Sequence, residues 1–187
     1  EHLEYYKTFN ALLLKFELYI KKIIKNKGLI ILCGDDENLM NLAKLVHFKN
    51  VVTYGIDNEH NQVKAENIRF TPDGTLFDLG IDNCQFIPKQ HIRNIRLNSY
   101  GFHNVSNSLA ALTSALLLEE NTLAKHTLVQ KILAEFKGVY RRFSVQGVVK
   151  DITVIDDYAH HPTEINAVLN MTNLWNEQRD TSGRIIF

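Results

Sequence analysis

No sign of charge dominates this chain: 21 Lys and Arg balance 21 Asp and Glu over 187 residues, for a formal net charge of zero. Without an excess of either sign there is no long-range field to draw in nucleic acid or an anionic membrane, so neither is expected as a partner. Cysteine is scarce. Cys33 and Cys84 stand far apart with no CxxC spacing, which argues against a disulfide framework and a zinc site and leaves both as reduced packing residues. With three prolines and 45% hydrophobic residues the chain is too apolar to stay disordered. No apolar run reaches the roughly eighteen residues of a membrane span, and the first residues lack the basic and apolar blocks of a secretory signal. A folded, cytoplasmic protein of one or two domains is expected.

Several catalytic signatures are missing too. Neither G-x-x-x-x-G-K-[ST] nor G-x-G-x-x-G occurs, so the chain carries no backbone cradle for a triphosphate or dinucleotide. Asp35 and Asp36 would repel phosphate at the one early strand-to-helix turn, so any nucleotide site is only half built here. There is no G-x-S-x-G elbow, and acyl-enzyme chemistry is unsupported. The chain opens on Glu1 and closes on Arg184-Ile185-Ile186-Phe187, which reads like the start of a strand, so a fragment of a longer protein is expected.

What is present is patterned. Phe9, Leu12, Leu13, Phe16, Ile20, Ile23 and Ile24 recur at spacings of three and four, predicting a helix with one buried face that Gly28 ends. The apolar run 29–33 predicts a buried parallel strand, an Asp after Gly34 caps a short helix, and 51–54 returns as a strand, completing a βαβ unit. Residues 62–99 alternate, with turn signals at Pro72-Asp73-Gly74 and Asp82-Asn83, predicting a small antiparallel meander. Two helices are predicted at about 105–118 and 123–136, the first deeply buried, the second striped by Leu128, Val129, Ile132, Leu133 and Phe136. A half-exposed strand from Phe143, a turn at Lys150-Asp151, a buried strand over 152–155 and a helix opened by Pro162 predict the start of a second βαβ unit.

Four polar clusters could carry chemistry. Asn104 and Asn107 stand three apart at the start of the alanine-rich helix; a carboxamide can read the donor-acceptor edge of adenine, or simply cap the helix. Arg141 and Arg142 follow that region's second helix, and if extended they face opposite ways, leaving Arg142 as the one to meet a phosphate or else a solvated pair. Residues 156–164, Asp-Asp-Tyr-Ala-His-His-Pro-Thr-Glu, occupy a strand-to-helix turn, where open α/β sheets bind ligands. An Asp there suits ribose hydroxyls, and Tyr and His suit a small polar substrate, but His161 or Asp157 could equally be a helix cap. His2, flanked by acids, means little alone.

Taken in order, E-H-L-E-Y-Y, C-G-D-D, T-Y-G, H-N-V-S-N-S-L-A-A, G-V-Y-R-R-F and D-D-Y-A-H-H-P-T-E resemble the Mur ligase family across essentially the whole chain. The resemblance implies an α/β fold: residues 1–142 as the remainder of a P-loop-type central ATPase domain with a small antiparallel sheet, and 143–187 as a linker and the start of a Rossmann-like C-terminal domain. It implies an ATP-dependent, amide-forming enzyme of bacterial peptidoglycan synthesis that uses magnesium, with UDP-N-acetylmuramate and L-alanine as substrates and an acyl-phosphate intermediate. The fragment alone is expected to be inactive. Residue by residue, His2 matches a magnesium-binding histidine, Asn104 and Asn107 the adenine-contacting pair, Arg142 a phosphate-contacting arginine, and Asp157 the ribose-binding acid. Tyr158 and His160 match positions lining the acceptor amino-acid site. Glu1 replaces the more usual Asp. The alternatives are a ligase that attaches a recycled peptide to UDP-muramate, and a non-catalytic nucleotide-binding or interaction module.

Overall fold

The structure, a computed structural model, describes residues 3–44, 49–118, 123–179 and 183–187, with the backbone alone at residue 3 and residues 123–126. His2 lies outside the described residues. The chain divides into two compact units, one formed by residues 1–66, 78–93 and 106–122, the other by 67–77, 94–105 and 123–187.

In the first unit a short helix α1 (Leu3–Tyr6) leads to α2 (Phe9–Lys25), followed by β1 (Ile30–Cys33), α3 (Glu37–Lys44) and β2 (Val51–Gly55). Strands β1 and β2 pair in parallel, Ile30 opposite Val51 through Cys33 opposite Tyr54, so the predicted βαβ unit is there. Asp36 caps α3 as its carboxylate accepts the Leu39 N–H at 3.0 Å. The core joins Ile20 of α2 with Ile30, Leu32, Leu42, Ala43 and Val51, flanked by Leu13, Ile23, Ile24 and Leu39. The face of α2 is less buried than its spacing predicts: Ile20 is 3% exposed but Phe9 and Phe16 are 48% and 46%.

At the start of α2 the Thr8 hydroxyl accepts the Ala11 N–H at 3.2 Å from extended backbone. Thr8→Ala leaves that donor without its partner. We expect a loss of about 1 kcal/mol, measured as a lower urea midpoint, and an unchanged midpoint would show that the cap contributes nothing.

The sheet continues with β3 (Val63–Thr71), β4 (Gly74–Ile81) and β5 (Gln90–Leu97), in spatial order β1-β2-β3-β4-β5. β3 runs parallel to β2, Tyr54 opposite Val63, so the meander is joined edge to edge with the parallel pair. Only Pro72 and Asp73 separate β3 from β4, a connection that fits antiparallel neighbours. Gly74 takes φ +121°, and a Cβ there would collide with the Leu97 carbonyl, so the turn admits only glycine.

Helix α4 (Phe102–Leu118) is buried along one stripe, Val105, Leu109 and Leu112, rather than all round, with Phe102 and Leu118 exposed. In the second unit, α5 (Leu123–Glu135) leaves much of the predicted stripe open: Leu128 and Ile132 are exposed, as is Phe136 just past its end. Strands β6 (Ser144–Val149) and β7 (Ile152–Asp156) then form an antiparallel two-stranded sheet, and α6 (Pro162–Glu177) follows. This corrects the expectation of a buried strand at 152–155. In the hairpin one face has no partner layer among the described residues, and Ile152 and Val154 are 66% and 50% exposed. Lys150 and Asp151, φ +48° and +64°, make the two-residue left-handed turn that matches strand twist.

Candidate functional site

In the second unit, the segment that leads into α4 is fastened to the β3–β4 turn. The Tyr100 hydroxyl reaches the Thr71 and Pro72 carbonyls at 2.8 and 2.7 Å, and the Thr75 hydroxyl donates to the Ser99 carbonyl at 2.6 Å. Gly101, φ +91°, then swings the chain into the helix. Asn104 sits in the first turn with its amide nitrogen turned inward, donating to the Ser99 hydroxyl at 2.8 Å and the Tyr100 carbonyl at 2.7 Å and meeting the Met171 sulfur at 3.5 Å. Met171, on α6, is 2% exposed. The amide nitrogen, a donor, therefore braces the loop and is not a cap, which would need an acceptor for the helix N–H groups.

Residues 138–143 form a tight turn in which Gly138, Arg141 and Phe143 all have positive φ, +82°, +58° and +50°. Two non-glycine residues in that region store strain that only surrounding bonds can hold. Asp157 supplies one of them: its Oδ2 accepts the Phe143 N–H and its Oδ1 the Ala159 N–H, both at 2.8 Å. The Tyr158 N–H donates to the Arg141 carbonyl at 2.9 Å. The carboxylate at the end of β7 thus ties the arginine turn to the strand-to-helix loop.

The segment is a turn and not extended, so strand alternation does not govern the two arginines, yet they differ. Arg141 is engaged, its Nε 3.3 Å from Asp156 Oδ2 and its guanidinium 5.1 Å from the Tyr158 ring centre. Arg142 is exposed and enters no ion pair among the described residues. Tyr158 continues into an edge-on contact with His160, ring centres 5.1 Å apart, and His160 lies 4.3 Å from His161. Glu164 accepts the His160 N–H at 3.2 Å and the His161 N–H at 3.4 Å. The His160 N–H, then the His161 N–H and both imidazoles, hold the Glu164 carboxyl below its ordinary value.

His103 is the residue that sequence reasoning passed over. Burial pushes its imidazole below the ordinary value, while the Asp157 carboxylate pulls it up and the Arg142 guanidinium pushes it down. Two of the residues matched to nucleotide contacts therefore act on one side chain in the first turn of α4. The signal available was its place directly before Asn104 and two after Gly101. Asn104, Arg142, Asp157, Tyr158 and His160 all belong to this unit, whereas Asn107, one turn along α4, falls in the other unit and is exposed.

Beside the site, a cavity of about 630 Å³ opens between β7 and α6, lined by Asp156, Asp157, Ile165, Leu169 and Trp175 among others. Among the described residues no group of three or more His, Cys, Asp or Glu side chains could hold a metal ion.

The family model for the Mur ligase middle domain matches residues 1–115. The UDP-N-acetylmuramate–L-alanine ligase of Acetivibrio thermocellus is 34% identical over 183 residues, covering 96% of this chain and 36% of that protein. The enzyme of the same name from Clostridium perfringens is 37% identical over 180 residues, with the same shares covered. Among solved structures, UDP-N-acetylmuramate-alanine ligase MurC of Thermotoga maritima is 27% identical with a TM-score of 0.69, over 95% of this chain and 36% of that one. The chain thus spans about a third of the length of the relatives it matches. With more than half of its residues matched to the middle domain, the chain belongs to the Mur ligase family.

Proposed function

We propose that this chain carries the nucleotide-facing part of an ATP-dependent ligase that joins L-alanine to UDP-N-acetylmuramate. One observation supports the reading: the Asp157 carboxylate, at the end of β7, accepts the Phe143 and Ala159 N–H groups and so ties the turn that carries Arg142 to the strand-to-helix loop, in the unit that also holds Asn104. Asn104, Arg142, Asp157, Tyr158 and His160, from the last three of those motifs, fall within one unit, whereas the first three motifs and Asn107 belong to the other. In this reading Asp157, already oriented by two backbone donors, accepts ribose hydroxyls with its remaining lone pairs. Arg142, whose guanidinium enters no ion pair among the described residues, neutralises phosphate charge. Asn104 and Asn107 contact the base, and Tyr158 and His160 face the acceptor amino acid. ATP supplies the phosphoryl group that activates a carboxylate for attack by an amine, and the protein's task is to neutralise two approaching anions. His2 is assigned to magnesium by the family match alone. Residues 1–142 belong to the central domain and 143–187 to a linker and the start of the third.

The test is ADP release with UDP-N-acetylmuramate and L-alanine. Alanine-dependent turnover is expected from the protein at its natural length and none from residues 1–187 by themselves. Turnover by residues 1–187 alone would show that the missing phosphate loop was misread, and turnover driven by a peptide but not by alanine would assign the recycling reaction instead.

A further inference from the structure

Arg141 takes no part in the roles assigned above, yet neighbours hold both its main chain and its side chain. We infer that it is a positioning residue for the acceptor amino acid: clasped between the Asp156 carboxylate and the Tyr158 ring, it sets the angle at which Tyr158 meets His160. The inference deepens the proposed function and rests on its assignment of Tyr158 and His160 to the acceptor.

The contacts are direct. Arg141 Nε lies 3.3 Å from Asp156 Oδ2, its guanidinium stands over the Tyr158 ring at 5.1 Å from the centre, and its carbonyl accepts the Tyr158 N–H at 2.9 Å. All of these residues belong to the second unit. One residue thus grips both the backbone and the ring of another. The ring needs that grip: Tyr158 is 53% exposed, so packing does not fix its torsions, and a ligand that meets a swinging phenol must supply the entropy of stopping it. A planar guanidinium suits the task, because it can turn an edge to a carboxylate while the cation rests over an aromatic ring. On the far side the ring meets His160 edge-on at 5.1 Å. His160 is anchored from its own side, with Nδ1 3.0 Å from the Tyr158 carbonyl and 3.6 Å from Glu164 Oε2. What remains to be set is the Tyr158 ring, and Arg141 is the group over it.

The backbone adds a second observation. Arg141 has φ +58°, where any side chain costs energy that glycine would not. Stability does not offset that cost, because about half of the Arg141 side chain is exposed beside Asp156, and such ion pairs contribute little. The strain is borne for the sake of what the side chain touches, and that is the Tyr158 ring.

The experiment uses Arg141→Gly in the protein at its natural length. The change removes the side chain and relieves the backbone together, so the urea midpoint is expected to stay near the parent's. ADP affinity, read by calorimetry, is expected to hold. The KM for L-alanine is expected to rise about two- to fivefold, the ordering that one exposed cation–π contact supplies, with kcat unchanged. Added to Tyr158→Leu, Arg141→Gly should raise that KM no further, since a residue that acts through the ring has nothing to act on once the ring is gone. NMR on ring-labelled tyrosine reads the arrangement without turnover: the Tyr158 signal, assigned by its absence in Tyr158→Leu, is expected to shift in Arg141→Gly. An unmoved Tyr158 signal overturns the inference, as does an alanine KM equal to the parent's or a full further rise on top of Tyr158→Leu. A fall in the midpoint and in ADP affinity together would make Arg141 structural and overturn it too. A shifted Tyr158 signal in a protein that does not turn over alanine overturns the acceptor reading instead, and the signal tells the two failures apart.

Discussion

Asp35→Ala is expected to lower the stability of the first unit by about 3 kcal/mol, read as a fall in the urea midpoint. Asp35 Oδ2 accepts the Ile56 N–H at 2.6 Å, and Oδ1 accepts the Asp57 and Asn58 N–H groups at 3.2 and 2.9 Å and the Asn61 amide at 2.8 Å. One carboxylate thereby closes the whole loop after β2. Bonds to a charged group contribute about 1.5 to 3 kcal/mol each where they are dry, but this loop is partly wet and the four are not additive. A Cβ at Gly34 would strike Asn61, and one at Gly55 would strike both Asn61 and Asp35, so the cluster cannot slide to compensate. Asp35→Asn, which keeps the shape and loses the charge, should cost less. Burial pushes the Asp35 carboxyl up, yet the donors from Ile56, Asn58, Asn61 and Asp57 together hold it below its ordinary value. Its contribution is therefore complete above the ordinary carboxyl range and is lost as pH falls through the lowered value, and Asp35→Ala should remove that part of the acid sensitivity. A variant as stable as the parent would show that the loop carries its own closure.

Asp157→Ala is expected to act twice. Removal of the carboxylate frees the Phe143 and Ala159 N–H groups, and the strained turn at Arg141 and Phe143 loses one of the bonds that hold it. If the same oxygens serve the ribose, nucleotide affinity falls by about 1.5 to 3 kcal/mol, on the order of ten- to a hundredfold. Asp157→Asn separates the two effects: its amide oxygen can still accept one backbone donor, while the charge is gone. Calorimetric titration with ADP on both variants is the measurement. A loss of stability without a loss of affinity would make Asp157 a structural anchor and take it out of the site.

The legible parts of the fold were those with local signals. The apolar run before Gly34, the Asp cap and the returning apolar strand specified β1-α3-β2 because each step is a short-range preference. Lys150-Asp151 was readable as a turn, but the exposure of Ile152 and Val154 was not, because a strand's apolar content reports what it can pack against and not what layer is there. The stripe on α5 misled in the same way. At the site, alternation was the wrong ground for separating the two arginines, because residues 138–143 are a turn with Arg141 at φ +58°; what distinguishes them is the ion pair that Arg141 makes with Asp156. Asp35 was read as a repeller of phosphate, and its four donors were invisible because they come from residues more than twenty positions away. His103 was hidden for the opposite reason: a histidine in the first turn of a helix carries no signal until Asp157 and Arg142, distant in sequence, are brought to bear on it.

On the proposed nucleotide reading, the inward-facing nitrogen of Asn104 bears on base choice. With those hydrogens committed to Ser99 and Tyr100, the half of the amide left over is its oxygen. A purine bearing an exocyclic amine at that point can satisfy it, whereas one bearing a carbonyl sets two electron-rich atoms against each other. Discrimination of adenine from guanine would then come from the way this side chain is anchored from behind.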